Sequence, residues 1–234
     1  MDFLAGLEDE YEDIIEKAEN GLKTKVKSLD LNEVSRELNL NLKALKKIKN
    51  KSYFPAEYDF NNNKSLKIFR IQLPFYQGYV NSYLIAKNGK CVIIDTAGSA
   101  DAVIDRIKKH NLKPVCILLT HGHGDHVNGL GILENKYNIK VNKNKEIKFE
   151  GHKILRIKTP GHTNDSVTFH IENFLFSGDL IFAGSLGNGS YSYKKLLESA
   201  SKILSLSKDY FIFPGHGPTT TVKQERENNA FSSF

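Results

Sequence analysis

Cysteine is scarce in this 234-residue sequence: only Cys91 and Cys116 occur, and each lies beside a predicted core strand. We interpret both as buried free thiols in a reducing compartment, because structural disulfides persist mainly in oxidising ones. Long apolar runs are also missing, since none approaches the roughly 20 residues of a membrane-spanning helix. The N-terminus is acidic, whereas a signal peptide starts with basic residues. We therefore expect a cytoplasmic protein that does not enter a membrane.

Neither sign of charge dominates strongly, since 33 Lys and Arg residues against 27 Asp and Glu residues leave a formal charge of +6. This excess favours small anionic partners but does not by itself predict nucleic-acid binding. The hydrophobic fraction of 40% and the charged fraction of 26% are ordinary for a soluble globular protein. The length suffices for one substantial domain with an appendage.

The appendage is predicted at the N-terminus, where residues 1–64 have a helical pattern. Apolar residues recur at helical spacing over residues 3–18 and again over residues 30–50, with a break at residues 39–41. The polar stretch 61–65 is the predicted linker. We therefore divide the chain into an N-terminal helical extension, residues 1–64, and a second domain, residues 65–234.

Two roles are open for the extension. Residues 33–48 faintly resemble a helix-turn-helix with a lysine-rich second half, which would make the extension a nucleic-acid-binding or regulatory element. The turn contains no glycine, however. We favour a helical arm that packs on the core or joins two copies in a homodimer, with its lysines in solvent.

From Leu66 onward the pattern changes to short strands interspersed with helices. Alternating or continuously apolar runs predict strands over residues 67–73, 79–86, 91–94, 115–119, 140–142, 146–149, 153–158, 167–171, 174–176 and 210–213. Helices are predicted over residues 100–110, 127–136 and 192–206. Strands followed by helices, twice over, predict an α/β fold of two sheets packed face to face with helices outside.

A cluster of metal-binding residue types follows the predicted strand 115–119. His121, His123, Asp125 and His126 lie within six residues, and Gly122 between them lets the backbone bend. Residues two apart in an extended segment point the same way, so His121 and His123 can bind one ion together. Asp125 and His126 are placed to reach a second ion. Imidazole and carboxylate suit zinc, and also iron or manganese.

Three more motifs follow in order. They are Thr159-Pro-Gly-His162, Phe176-Ser-Gly-Asp179 and Phe213-Pro-Gly-His216, and the strand and loop Val92-Ile-Ile-Asp95-Thr-Ala-Gly98 precede them all. Together these stretches resemble the ordered motifs of the metallo-β-lactamase superfamily over roughly residues 66–231. The resemblance implies that family's four-layer αββα sandwich.

The resemblance also implies the roles of individual residues. One metal ion would be held by His121, His123 and His162, the second by Asp125, His126 and His216, and Asp179 would bridge them. Asp95 would orient a histidine through hydrogen bonds. Asp125 and Asp179 are candidate catalytic residues as well as ligands. Two divalent ions, in the first place Zn²⁺, with Fe or Mn as alternatives, would share a water, and the metal-bound hydroxide would attack a carbonyl carbon.

The motifs also suggest a substrate. Residues 177–187 and 214–231 resemble the glyoxalase II-type hydrolases, which cleave thioesters such as hydroxyacylglutathiones. Aspartate at 179, where true β-lactamases of this fold carry cysteine, argues against a β-lactamase. We expect Tyr191 or Tyr193 at the edge of the pocket. The alternatives are an iron persulfide dioxygenase, which shares the motif, and a nucleic-acid-binding or regulatory protein that uses the N-terminal helices.

Overall fold

The computed structural model describes residues 30–50, 52–53, 55–56, 58, 61, 66–75 and 78–232. The helix predicted over residues 3–18 lies outside this part, as does most of the predicted linker.

The first sheet has four strands, in the order β1-β2-β3-β4. They are β1 (Lys67–Phe75), β2 (Gly78–Lys87), β3 (Lys90–Ile94) and β4 (Lys113–Leu118). β1, β2 and β3 are antiparallel neighbours, and β4 runs parallel to β3. Asn88 and Gly89 join β2 to β3 with φ angles of 51° and 72°, the left-handed conformation that a tight hairpin turn needs. The predicted hairpin is therefore present.

The second sheet has six strands, in the order β12-β11-β8-β7-β6-β5. They are β5 (Glu146–Phe149), β6 (His152–Lys158), β7 (Val167–Ile171), β8 (Phe174–Gly178), β11 (Phe211–Pro214) and β12 (Thr220–Thr221). Two short strands, β9 (Ile181–Phe182) and β10 (Ser185–Leu186), form a separate hairpin after β8. β8 and β11 are parallel, and the other neighbours in the six-stranded sheet are antiparallel.

The helices lie in three groups along the chain. α1 (Leu31–Glu37) and α2 (Leu42–Lys49) precede the sheets; α3 (Asp101–Lys109), α4 (Gly124–Val127) and α5 (Leu130–Tyr137) lie in the first half; α6 (Tyr193–Leu204) and α7 (Val222–Asn228) lie in the second. The helix predicted over 127–136 is divided, and its first part begins within the metal motif. Gly129 separates α4 from α5 by packing on the backbone, where a Cβ would lie 2.7 Å from the carbonyl oxygen of Thr96.

Three apolar clusters hold the four layers together. The inner faces of the sheets meet in a cluster rich in phenylalanine, including Phe169, Phe176 and Phe213. α3 and α5 cover the outer face of the first sheet through residues such as Val103 and Leu133. α6 and α7 cover the outer face of the second sheet with a third cluster. This arrangement confirms the αββα sandwich.

The described part of the extension packs on the domain. Leu40 and Leu45 are buried in the cluster beneath α6 and α7, and the backbone N–H of Asn41 donates to the carbonyl oxygen of Ala230 at 2.7 Å. Lys43 and Lys46 remain exposed on α2. The domain boundary after residue 64, the nucleic-acid role and the homodimer stay predictions.

The β9–β10 hairpin, β12 and α7 were not predicted from the sequence. The β9–β10 hairpin has strands of only two residues, too short for a periodic pattern. The start of α7 could have been predicted, because Thr221 and Gln224 have the spacing of a capping box at a helix N-terminus. In the structure the Thr221 side chain accepts a hydrogen bond at 3.1 Å from the backbone N–H of Gln224.

No helix within the part of the chain that the structure describes has both the length and the apolar character needed to cross a bilayer.

The inter-sheet cluster yields a stability prediction. Phe169 is fully buried in β7, so Phe169→Ala should lower the free energy of unfolding by about 3–5 kcal/mol through lost burial and a residual cavity. Urea denaturation of the metal-free protein measures this. Ile132→Ala in α5 is the control, because its side chain is 57% exposed, and it should shift the value by less than about 0.5 kcal/mol. A Phe169→Ala loss below about 1 kcal/mol would contradict the packing described.

Candidate metal centre

The candidate ligands lie close together because the strands that precede them end at the same edge of the two sheets. β3 and β4 are parallel, so the chain leaves both at one edge of the first sheet, where Asp95 and the segment 120–123 follow. In the second sheet β6, β8 and β11 point the same way, since β6 and β8 are both antiparallel to β7 and β11 is parallel to β8. His162, Asp179 and His216 come shortly after these three strands. Ligand sites of α/β folds commonly lie at the carboxyl ends of strands.

The seven predicted ligands form one cluster at this rim, divided into overlapping groups. In the first group Nδ1 of His123 lies 3.2 Å from Nε2 of His121 and 2.9 Å from Nε2 of His162. In the second, Oδ2 of Asp125 lies 3.6 Å from Nε2 of His126 and 3.2 Å from Nε2 of His216. The structure thus brings together both sets in the grouping that the sequence suggested. Their role as ligands stays a prediction.

Asp179 stands between the two groups. Its Oδ2 lies 3.5 Å from Nε2 of His162 in the first group and 3.4 Å from Nε2 of His216 in the second. Its Oδ1 lies 3.4 Å from Nε2 of His126. A carboxylate in this place can face two cations at once, which is the geometry of a bridging ligand.

The cluster fits a cation by a second criterion. Nε2 of His126 and Oδ1 of Asp179 are buried and have no hydrogen-bond partner. A buried polar atom without a partner costs about 1–3 kcal/mol. A metal ion between the groups would satisfy both atoms, and the donor set of five imidazoles and two carboxylates is one that zinc and iron accept.

Burial and charge set the protonation of the centre. Burial lowers the pKa of His121 to about 4, although Asp179 opposes the shift, so this imidazole is neutral and its lone pair is available. Burial alone would raise the pKa of Asp179, but the positively charged imidazoles of His126 and His216 bring it well below its usual range. The Asp179 carboxylate in turn helps to raise the pKa values of both histidines. The site therefore presents an ionised carboxylate beside a neutral nitrogen donor.

Asp95 fixes the ring of His126. Its Oδ2 lies 2.8 Å from Nδ1 of His126 and accepts from Oγ1 of Thr120 at 2.7 Å, while Oδ1 accepts from the Thr120 backbone N–H at 2.8 Å. With Nδ1 engaged by Asp95, Nε2 of His126 faces the centre. These contacts support the interpretation of Asp95 as an orienting residue.

Backbone carbonyls engage other imidazoles in the same way. Nδ1 of His162 lies 3.1 Å from the carbonyl oxygen of Asn188, and Nδ1 of His216 lies 2.9 Å from that of Tyr79. Sequence reasoning missed both residues, and no sequence signal could have found them, because a backbone carbonyl is common to all residue types.

The loop that carries His216 is held by β2. The Asn81 side chain donates from Nδ2 to the carbonyl oxygens of Pro214 and Gly217, each at 2.9 Å, and Oη of Tyr83 donates to Pro214 at 2.6 Å. Gly215 lets the loop approach the centre, since a Cβ there would lie 2.1 Å from Oδ1 of Asp179. A strand of the first sheet therefore positions a candidate ligand from the second.

The two tyrosines proposed at the pocket edge differ in environment. Tyr191 is exposed, and its backbone N–H donates to the carbonyl oxygen of Gly161 at 3.2 Å, next to His162. Nζ of Lys195 donates to Oη of Tyr191 at 3.2 Å. Tyr193 is buried in the cluster under α6, with its ring edge-on to Phe231. Contact of either ring with substrate stays a prediction.

Comparison with known proteins agrees with this geometry. The family model of the metallo-beta-lactamase superfamily matches residues 75–158 and 145–216. A probable metallo-hydrolase, YqgX of Bacillus subtilis, is 27% identical over 192 residues, which cover 64% of this chain and 91% of that protein. A hydroxyacylglutathione hydrolase of Buchnera aphidicola is 38% identical over 146 residues, 54% of this chain, and the match spans only 57% of that enzyme.

Solved structures give the same result. The crystal structure of the B3 metallo-beta-lactamase BLEG-1 superposes with a TM-score of 0.66 at 28% identity, covering 72% of this chain and all of that one. The residues that the family model matches include every candidate ligand described above. The chain belongs to the metallo-beta-lactamase superfamily.

Proposed function

We propose that this protein is a metal-dependent hydrolase that cleaves a thioester of the hydroxyacylglutathione type. The observation that carries the proposal is the position of Asp179 between two groups of nitrogen and oxygen donors, with buried atoms that no protein group satisfies. A cation would satisfy these atoms, which otherwise cost free energy as buried polar groups without a hydrogen bond.

The grouping of the side chains supports an assignment of residues to the two ions. His121, His123 and His162 would hold one ion, Asp125, His126 and His216 the other, and Asp179 would contact both. Zinc is the first choice, since imidazole and carboxylate are its ordinary ligands in proteins. When bound, two such ions would lower the pKa of a water molecule and polarise the carbonyl oxygen of the substrate.

The protein itself supplies orientation and access. Asp95 keeps the Nε2 atom of His126 directed at the centre. His123 is exposed, whereas His121 and His126 are buried, so the centre opens to solvent on the side of His123. A substrate carbonyl can approach from that side.

A thiol nucleophile does not compete with water in this proposal. Burial raises the pKa of Cys91 to about 12 and that of Cys116 to about 11, so both stay protonated near neutral pH. Thiols, unlike thiolates, are poor nucleophiles. These are the two cysteines of the whole sequence.

The thioester assignment rests on the similar proteins and on two exposed side chains at the edge of the metal centre. The Buchnera enzyme, which is 38% identical over 146 residues, is named for hydrolysis of hydroxyacylglutathione. The exposed pair of Tyr191 and Lys195 lies beside the loop of His162 and offers a cation and an aromatic face to an anionic carrier. The formal charge of +6 is consistent with an anionic substrate.

A substrate and metal panel tests the proposal. Zinc, iron and manganese forms of the purified protein are assayed with S-lactoylglutathione, other thioesters, lactones and phosphodiesters. We expect thioester hydrolysis that falls at least about a hundredfold on chelation and returns on adding metal, because the ions supply the activated water. Hydrolysis of lactones or phosphodiesters alone would contradict the thioester assignment. Oxygen uptake by the iron form with glutathione persulfide would instead support a dioxygenase.

Removal of the shared carboxylate should abolish turnover. Substitution of a residue that only orients a metal ligand costs up to about 100-fold in activity. Asp179→Ala should lower kcat by more than this, since it removes a contact to both ions. Steady-state kinetics and metal stoichiometry measure this, with circular dichroism to establish folding. Asp209→Ala, an exposed aspartate outside the centre, is the matched control. Full activity of Asp179→Ala would refute the bridging role.

Asp95 should matter through His126. Asp95→Asn keeps the size of the side chain but removes the charge facing Nδ1 of His126, so kcat/KM and metal affinity should each fall about 10–100-fold. Chelator competition measures the affinity. Asp105→Asn on the exposed face of α3 is the control and should leave both unchanged. An unaltered metal affinity in Asp95→Asn would show that Asp95 does not orient the ligand.

A further inference from the structure

The β9–β10 hairpin connects the centre to parts of the chain outside the family match. It begins two residues after Asp179, and the ring of Phe182 lies edge-on to that of His216, with centroids 5.7 Å apart. Gly187, just beyond the hairpin, packs on the backbone of Asp179, where a Cβ would lie 1.9 Å from the carbonyl oxygen. A movement of this hairpin would therefore displace both Asp179 and the Phe182 ring that lies edge-on to His216.

α7 and the residues after it hold the hairpin by its backbone. Oε2 of Glu225 accepts from the backbone N–H of Gly184 at 2.8 Å. Nδ2 of Asn229 donates to the carbonyl oxygen of Ser185 at 2.8 Å and to Oε2 of Glu225 at 2.8 Å. The N–H of Ala230 donates to the carbonyl oxygen of Gly184 at 3.2 Å.

Glu225 is a buried acid that the proposed chemistry does not use. It is fully buried, and Oε1 accepts from Oγ1 of Thr220 at 2.6 Å. Burial raises its pKa, although the hydrogen bonds from Thr220, Gly184 and Asn229 oppose the rise. A buried carboxyl group is costly unless its hydrogen bonds are kept, so the site around it must stay closed to water and correctly aligned.

The N-terminal extension closes that site. The Tyr53 ring packs directly on Gly184, where a Cβ would lie 2.8 Å from Cε1 of Tyr53, and Gly184 has a φ of 84°. Oη of Tyr53 donates to Oε1 of Glu225 at 3.4 Å. α2 is anchored beside it, since Nζ of Lys47 donates to Oδ1 of Asn228 in α7.

We propose that Tyr53 and Glu225 are positioning residues for the metal centre: they hold the β9–β10 hairpin, and with it Asp179 and Phe182, in place against His216. The part of the N-terminal extension that carries Tyr53 then contributes to the function of the hydrolase. The metal-binding half of this inference rests on the proposed function, whereas the half that concerns the hairpin does not.

Two variants in the 234-residue chain test the proposal. Tyr53→Ala removes the ring from Gly184 and admits water to Glu225. Glu225→Gln places an amide donor where three donors from Thr220, Gly184 and Asn229 converge. In each case amide hydrogen exchange over residues 180–187 of the metal-free protein should accelerate about tenfold or more, because the local opening free energy falls. The affinity for the more weakly held Co²⁺ ion, measured by chelator competition and visible absorption, should fall about 10–100-fold.

Two controls separate positioning from general destabilisation. Tyr53→Phe keeps the ring on Gly184 and should stay within about threefold of the unmodified protein in Co²⁺ affinity, since the lost hydroxyl contact is long. Val103→Ala in α3 removes a buried side chain from the cluster on the outer face of the first sheet, which contains no residue of the hairpin. It should lower the thermal midpoint while leaving hairpin exchange and metal affinity unchanged.

The outcomes are distinct. If Tyr53→Ala and Glu225→Gln lose stability as Val103→Ala does, with hairpin exchange unchanged, the proposal is wrong. Faster exchange with unchanged Co²⁺ affinity would also overturn it, because the hairpin would then not set the centre. If Tyr53→Ala fails to fold, Glu225→Gln decides alone. An unmodified protein that binds no divalent ion would refute the proposed function first, and the exchange measurement would still decide whether the two residues hold the hairpin.

Discussion

One buried carboxylate determines how the rest of this structure is arranged. Asp179 lies between two groups of donors, and it is 8% exposed. An ionised group in such a place must be surrounded by opposite charge or by hydrogen-bond donors, since desolvation otherwise outweighs what it gains. The strand order of both sheets, the close approach of Gly215 and the convergence of five imidazoles all serve to place cationic or metal-binding groups around it.

The imidazoles are oriented from behind by groups of very different kinds. A carboxylate engages His126, whereas backbone carbonyls of Asn188 and Tyr79 engage His162 and His216. Each contact fixes the face that a ring turns toward the centre, and a ligand that is fixed in advance loses little entropy on binding. Because the carbonyls belong to rigid backbone, this orientation depends on the positions of β2 and of the segment before α6 more than on which side chains they carry.

Support for the centre also comes from both ends of the chain. The family match ends at residue 216, yet α7 and Asn229 beyond it satisfy backbone groups of the β9–β10 hairpin. α2 packs on α7 in turn through Leu45, and the backbone of Asn41 before α2 donates to Ala230 just after α7. Elements outside the matched region are thus in contact with the segment that carries Asp179.

Most strands and helices and the cluster from His121 to His126 could be predicted from the sequence, because hydrophobic periodicity and a His-x-His-x-Asp-His spacing are local properties. The αββα sandwich and the assignment of His162, Asp179 and His216 followed from the resemblance of ordered motifs to a known family. Only the tertiary structure decided which atoms face one another. It placed Tyr193 in a core cluster and Tyr191 in solvent, and it brought Tyr53 onto Gly184. It also revealed the short hairpin and the backbone carbonyls behind the imidazoles. The contacts of Tyr53 with Glu225 and of Tyr79 with His216 join residues more than a hundred positions apart, for which no local pattern of side chains exists.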